Sequence, residues 1–405
     1  LIGEHEEALN IYHKTLQMAK KLNSEVWLAA SLNNIANVYN SQANYTEALN
    51  YFKQALPIFQ SLGSLYEQGI VLRNMSSILK NLNRNSDALK YSLEALKISE
   101  NLGKLSDKGD ILMIIGMIKV SLGNLEDAIK HFEESLMIND KLHDYDAKIG
   151  SLNVLGDLMM KIGDFDKSLS HLHDALALSK KINFFSGEAS TLNNLGMLYT
   201  KISNFPEALK YLTQAQDLSK KIDDTLIEAN SSANLGIVYY YQGQLEEALK
   251  IWEKALKTYE KSKYEFGKAS IYINMGDVYY QRGKYKKSLR VLEEALEIGR
   301  KSNDLGIQAN ALQKLGMVLQ DQKDFKGATS LYSQGLQICQ EIGDSVGIAT
   351  FINNLGTIDF YAKNYSSALK KYNEAYNLLN QIGLGNSPLA NTIMKNIEHL
   401  NQIQT

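Results

Sequence analysis

Apolar residues recur along this chain with helical spacing, and the helical stripes themselves recur. Leu192, Leu195, Gly196 and Tyr199 stand at i, i+3, i+4 and i+7, which places them on one face of an α-helix. Ala248, Leu249, Trp252, Ala255, Leu256 and Tyr259 form a second stripe of the same kind. Between stripes lie breaks such as Gly123-Asn124, Gly163-Asp164 and Gly243-Gln244, where Gly and Asn tolerate left-handed backbone angles. A different break follows each second stripe, as at Leu102-Gly103 and Ile342-Gly343-Asp344. The pattern predicts a helix A, a turn, a helix B and a second turn, repeated without strands.

Small residues set the beat. Ala36, Ser76, Gly116, Gly156, Gly196, Gly236, Gly276, Gly316 and Gly356 stand 40 positions apart. Ala48, Ala88, Ala128, Ser168, Ala208, Ala248, Ser288, Ala328 and Ala368 follow at a constant twelve residues. Seven glycines in the middle of helix A each cost about 1 kcal/mol relative to Ala, so close approach of helix B is expected to compensate. A period between about 20 and 50 residues marks stacked units that cannot bury their apolar faces alone. The 405 residues therefore predict one continuous array rather than several globular domains.

Asn193-Asn194-Leu195-Gly196-Met197-Leu198-Tyr199, followed by Phe205-Pro206-Glu207-Ala208-Leu209 and Ala215, resembles the tetratricopeptide repeat. The 40-residue period is similar to the subclass found in Leu-Gly-Asn-repeat polarity adaptors and kinesin light chains. The resemblance covers essentially the whole chain and implies an all-α, right-handed α-solenoid that binds other proteins. The expected organisation is a single superhelix over 1–405: a partial first repeat with helix B only (1–24), nine repeats (25–386) and a C-terminal capping helix (387–405). In that last segment Ser387 is suited to cap a helix and Pro388 to occupy its first turn. The start at Leu1, in mid-repeat, leads us to expect a segment of a longer protein.

Composition narrows the choices. A net charge of −2 gives no general reason to bind nucleic acid or an anionic membrane. Cys339 is the only cysteine, so no intrachain disulfide forms, and no apolar run is long enough to span a bilayer. A cytoplasmic location is expected.

A face of helix A opposite the core stripe is available to a partner. Two positions before the glycine column the residues are Asn34, Asn74, Ile114, Val154, Asn194, Asn234, Asn274, Lys314 and Asn354. Six of nine are Asn, a mediocre helix former whose amide can pair with a backbone N–H and C=O of another chain. The resemblance implies the same role, groove asparagines holding ligand backbone. The alternative is an interhelix hydrogen-bond ladder without a ligand. The column is interrupted at Ile114 and Val154, with Met113, Met117, Val120, Met159 and Met160 nearby. These form either an apolar anchor pocket, since Met adapts to varied side chains, or additional packing. Tyr240, Tyr241, Tyr280 and Tyr361 flank the same face.

Catalytic and metal chemistry find little support. His131 and His171 share a register with Tyr51, Tyr91 and Tyr211, so an aromatic row accounts for them better than a metal site. Lys284, Lys286, Lys287, Arg290, Arg300 and Lys301 are interleaved with Glu293, Glu294 and Glu297 and read as a solvated face. No cofactor and no enzymatic activity are expected. The sequence points to a scaffold that binds a protein or peptide segment in a concave groove lined by A helices. The alternative is a sensory or substrate-recruiting arm of a signalling enzyme, such as a kinase, cyclase, protease or transcription regulator, whose active domain lies outside these residues.

Overall fold

The computed structural model describes residues 2–42, 44–82, 84–262 and 264–404. Among them are twenty helices and no strand. Residues fall into two compact units, 1–151 and 152–405. The first contains α1 (Ile2–Lys21), α2 (Glu25–Ser41), α3 (Tyr45–Ser61) and α4 (Leu65–Asn81). α5 (Asn85–Asn101), α6 (Leu105–Ser121) and α7 (Leu125–Leu142) follow, and the boundary falls within α8 (Tyr145–Ile162). The second contains α9 (Phe165–Lys181), α10 (Phe185–Lys201), α11 (Phe205–Lys221), α12 (Thr225–Tyr241), α13 (Leu245–Ser262) and α14 (Glu265–Gln281). It continues with α15 (Tyr285–Lys301), α16 (Leu305–Asp321), α17 (Phe325–Ile342), α18 (Ser345–Tyr361), α19 (Tyr365–Gln381) and α20 (Pro388–Gln404). Even-numbered helices from α2 to α18 are the A helices, and α3 to α19 the B helices that follow them. The fold is an all-α solenoid of helix pairs.

Local sequence sets the helix limits. The side chains of Asn44, Asn124, Asp164, Asn204, Asp224, Asp304, Asp324 and Asp344 each accept a bond from the backbone N–H three residues on. This satisfies one of the orphan donors at a helix N-terminus. At α20, Ala390 N donates to Ser387 Oγ at 3.2 Å and Pro388 is the first helical residue. The turn between helices A and B requires a left-handed residue, supplied by Gly243 at φ 76° but also by Lys323 at 65° and Lys363 at 63°.

The glycine column is where A and B helices meet. A Cβ on Gly156 would lie 2.6 Å from the Leu172 side chain, and one on Gly276 would lie 2.6 Å from Leu292. Gly236 faces Trp252 and Gly316 faces Tyr332 in the same way, and both aromatic residues are fully buried. The second column is small because it touches the A-helix backbone at that same point. Where Ser replaces Ala, its hydroxyl makes the contact a bond: Ser168 Oγ donates to Gly156 O at 2.7 Å and Ser288 Oγ to Gly276 O at 2.8 Å.

Within the second unit each A helix also touches the next, α10 on α12, α12 on α14 and α14 on α16. The A helices therefore form a layer of their own, and their polar residues lie side by side.

Candidate functional site: a groove along the A helices

In the second unit, five A helices and one B helix line a cavity of about 750 Å³. α8 contributes Asp157, Met160 and Lys161, and α10 contributes Met197, Thr200 and Lys201, followed by Ser203. Ile237, Tyr240 and Tyr241 come from α12, Trp252 from α13, Asn274 and Asp277 from α14, and Lys314 from α16. Asp157, Met197, Ile237 and Asp277 each follow the glycine of their own helix directly, so one register position on four successive repeats forms the floor.

Two ion pairs stand in the wall. Lys161 Nζ lies 2.7 Å from Asp157 Oδ2, one turn apart on α8, and Lys314 Nζ lies 2.9 Å from Asp277 Oδ2 across neighbouring A helices. Lys201 makes no ion pair among the described residues. The aromatic side is fixed by packing: the Tyr240 ring lies edge-on to Tyr241 at 5.4 Å and 6.3 Å from Trp252. Trp252 Nε1 donates to Ala233 O at 2.9 Å, so the indole serves the fold. Burial, aided by the nearby Asp277 charge, pushes the Tyr240 phenol up from its usual range and keeps it neutral.

All six column asparagines are half-buried, but their partners differ. Asn74 Nδ2 donates to Asn37 Oδ1 at 3.1 Å in the first unit. In the second, Asn194 Nδ2 donates to Asn153 Oδ1 at 3.2 Å and Asn234 Nδ2 to Asn193 Oδ1 at 2.9 Å. These bonds run between A helices of successive repeats, the ladder arrangement. Asn354 Oδ1 accepts from Asn353 at 3.4 Å while its buried Nδ2 has no partner. Asn34 and Asn274 make no side-chain hydrogen bond among the described residues, and Asn274 lines the cavity.

The apolar interruption is distributed. Ile114 packs against the first unit's core with Leu122. Met113 Sδ accepts from Ser151 Oγ at 3.5 Å, and Met117 Sδ from Lys80 Nζ at 3.8 Å. Val154 is half-buried on α8, Met159 is buried, and Met160 lines the cavity. Of the flanking tyrosines, Tyr280 Oη donates to Asp321 Oδ2 at 2.5 Å and Tyr361 stacks on Phe325 at 5.5 Å. His131 Nδ1 lies 2.5 Å from Asp127 O, a contact within its own helix.

Sequence reasoning missed Asp157, Lys161, Met197, Lys201, Ile237, Trp252 and Asp277 as site residues, and met Lys314 only as a departure from the asparagine column. A signal for some of them is present. Asn37 with Asn74, and Asp277 with Lys314, are complementary polar pairs 37 residues apart, each one period less three.

A family model described as Tetratricopeptide repeat matches residues 1–61, 27–101, 147–221, 187–261, 226–301, 267–341 and 307–381, and a second with the same description matches 109–142. No curated protein matches the sequence. Among solved structures, the apo form of RapI is similar at a TM-score of 0.56 and 17% identity, over 67% of this chain and 98% of that one. A Rap protein complexed with Competence and Sporulation Factor gives 0.56 and 13%, over 84% and 99%. A Signal Transduction ATPase with Numerous Domains protein with a tetratricopeptide repeat sensor, from Pyrococcus horikoshii, gives 0.51 and 19%. It is covered over 54% of its length by 88% of this chain, and these likenesses concern the fold.

Proposed function

We propose that this chain, which belongs to the tetratricopeptide repeat family, is a non-catalytic protein-interaction scaffold whose A helices hold a segment of a partner. The observation that carries this reading is the cavity of about 750 Å³, a size in the range of ligand sites, with the Asn274 amide unengaged in its wall. A chain crossing helices packed about 8–10 Å apart and advancing about 3.3 Å per residue meets a new A helix at roughly every third residue. Asn274, and Asn34 in the first unit, offer both halves of an amide to its backbone. Asn74, Asn194 and Asn234 tie repeats together with one N–H and offer what remains. About 1 kcal/mol per amide contact does not reach micromolar affinity, about −8 kcal/mol, so side-chain contacts supply the rest. We place the main apolar contact at Met160, Met197 and Ile237, with Val154 of the same unit beside them, and Met113, Ile114 and Met117 of the first unit as a separate secondary surface.

A photo-crosslinking residue at Tyr241, which is 62% exposed in the cavity, tests this reading. It is expected to capture the partner from extracts of the source cells, whereas the same residue at the exposed Lys254 of α13 captures nothing above background. Equal capture at both positions contradicts a groove.

A second reading, a sensory or recruiting arm of a larger signalling protein, finds support in the similarity to a protein whose repeats are described as a sensor. It uses the same groove. No helix of the described residues is long and apolar enough to cross a membrane.

A further inference from the structure

We propose that the cavity of the second unit selects a partner segment in which an internal Asp or Glu lies within about three residues of a bulky apolar side chain. The inference rests on the groove reading above and adds the chemistry of what fills it.

Charge carries the first half. Two carboxylates and three ammonium groups line the cavity, and both carboxylates are already matched, Asp157 by Lys161 and Asp277 by Lys314. Lys201, exposed on the last residue of α10, is the cation left over. A ligand carboxylate therefore gains a partner without breaking an existing pair, whereas a ligand ammonium meets a net positive site.

Apolar surface carries the second half. Met197 precedes Lys201 by one turn of the same helix, about 6 Å along the axis, and Ile237 and Tyr240 face it from α12. A flexible thioether beside a branched aliphatic and a packed aromatic accepts Leu, Met or Phe. The axial offset of about 6 Å and the helix spacing of about 8–10 Å are both spanned by about three residues or fewer of extended chain. Acid and anchor must then be near neighbours in sequence.

The test is selection of phage-displayed random peptides on the full chain, with the peptide C-terminus fused to the coat protein so that no terminal carboxylate is presented. Peptides that bind the full chain and lose binding to Tyr241→Ala, a charge-neutral truncation of a half-open cavity wall, are groove ligands, and these are expected to carry Asp or Glu within the stated distance of Leu, Met or Phe. Lys201→Glu, an exposed change checked for intact helicity, is expected to weaken them by about tenfold or more and to shift selection toward Lys and Arg. Groove ligands without an enriched acid, or with affinity unmoved by Lys201→Glu, overturn this inference and leave the groove reading standing. Failure to obtain any Tyr241-dependent peptide overturns both.

Discussion

A side chain on Gly236 would enter the Trp252 indole ring, the contact that joins α12 to α13 and sets the back of the groove. Helix propensity alone favours Gly236→Ala by about 1 kcal/mol. Overpacking against a fully buried ring costs about 1–3 kcal/mol and outweighs it. Gly236→Ala is therefore expected to lower the urea midpoint. Gly150→Ala, at a helical glycine with nothing within 4 Å of the added methyl, is expected to raise the midpoint through a stability gain of up to about 1 kcal/mol. Parallel urea titrations of the two variants check the opposite signs.

The turn after α18 places Lys363 at φ 63°, a conformation that Gly243 occupies in the equivalent turn. Left-handed geometry costs a residue with a Cβ about 1–2 kcal/mol, and the greater unfolded-state freedom of Gly returns part of this. Lys363→Gly is expected to stabilise the chain by up to about 1 kcal/mol. A change of the same size in the destabilising direction contradicts the strain assignment.

The asparagine column divides into two roles. Asn194→Ala and Asn234→Ala each remove a bond between repeats and are expected to cost about 1 kcal/mol of stability, leaving Asn153 and Asn193 acceptors unmet. Asn274→Ala breaks no such bond and is expected to leave stability within about 0.5 kcal/mol while weakening partner binding. Thermal denaturation and a binding titration on the three single variants separate the roles.

Burial and the nearby Asp344 carboxylate push the Cys339 thiol up to about 12. In the unfolded chain the thiol ionises near about 8.5, so above that pH the unfolded state releases a proton that the folded state keeps. Stability is thus full below about 8.5 and falls as pH rises toward about 12. Tyr259, Tyr280 and Tyr332 are shifted upward in the same way by burial and add to the loss above about 10. Urea midpoints measured on either side of the thiol's ordinary ionisation are expected to fall less with Cys339→Ala than with the parent chain.

The helix pairs were legible because each repeat reports the same contact again. A glycine in helix A and a large residue sixteen positions on, as in Gly156 and Leu172 or Gly316 and Tyr332, describe one interface in primary sequence. The polar face was less legible, because its bonds depend on the rotation between successive repeats. Asn194 reaches Asn153, 41 residues back, whereas Asn74 reaches Asn37, 37 back, and residue type alone does not choose between them. Ile114 occupies the same register as Asn194 and is half-buried like it, yet packs against the core, since that position borders both the core stripe and the open face. The groove's own charges, Asp277 with Lys314, lie in two different columns, so a search column by column meets Lys314 without the carboxylate that pairs with it.

Hydrogen–deuterium exchange of the full chain with and without a bound partner segment tests the central claim most directly. Added protection on binding is expected in the cavity-lining turns of α10, α12 and α14, with α11 and α15 unchanged. Protection concentrated on the B helices, or at the turns joining B to the next A, contradicts a groove formed by the A helices.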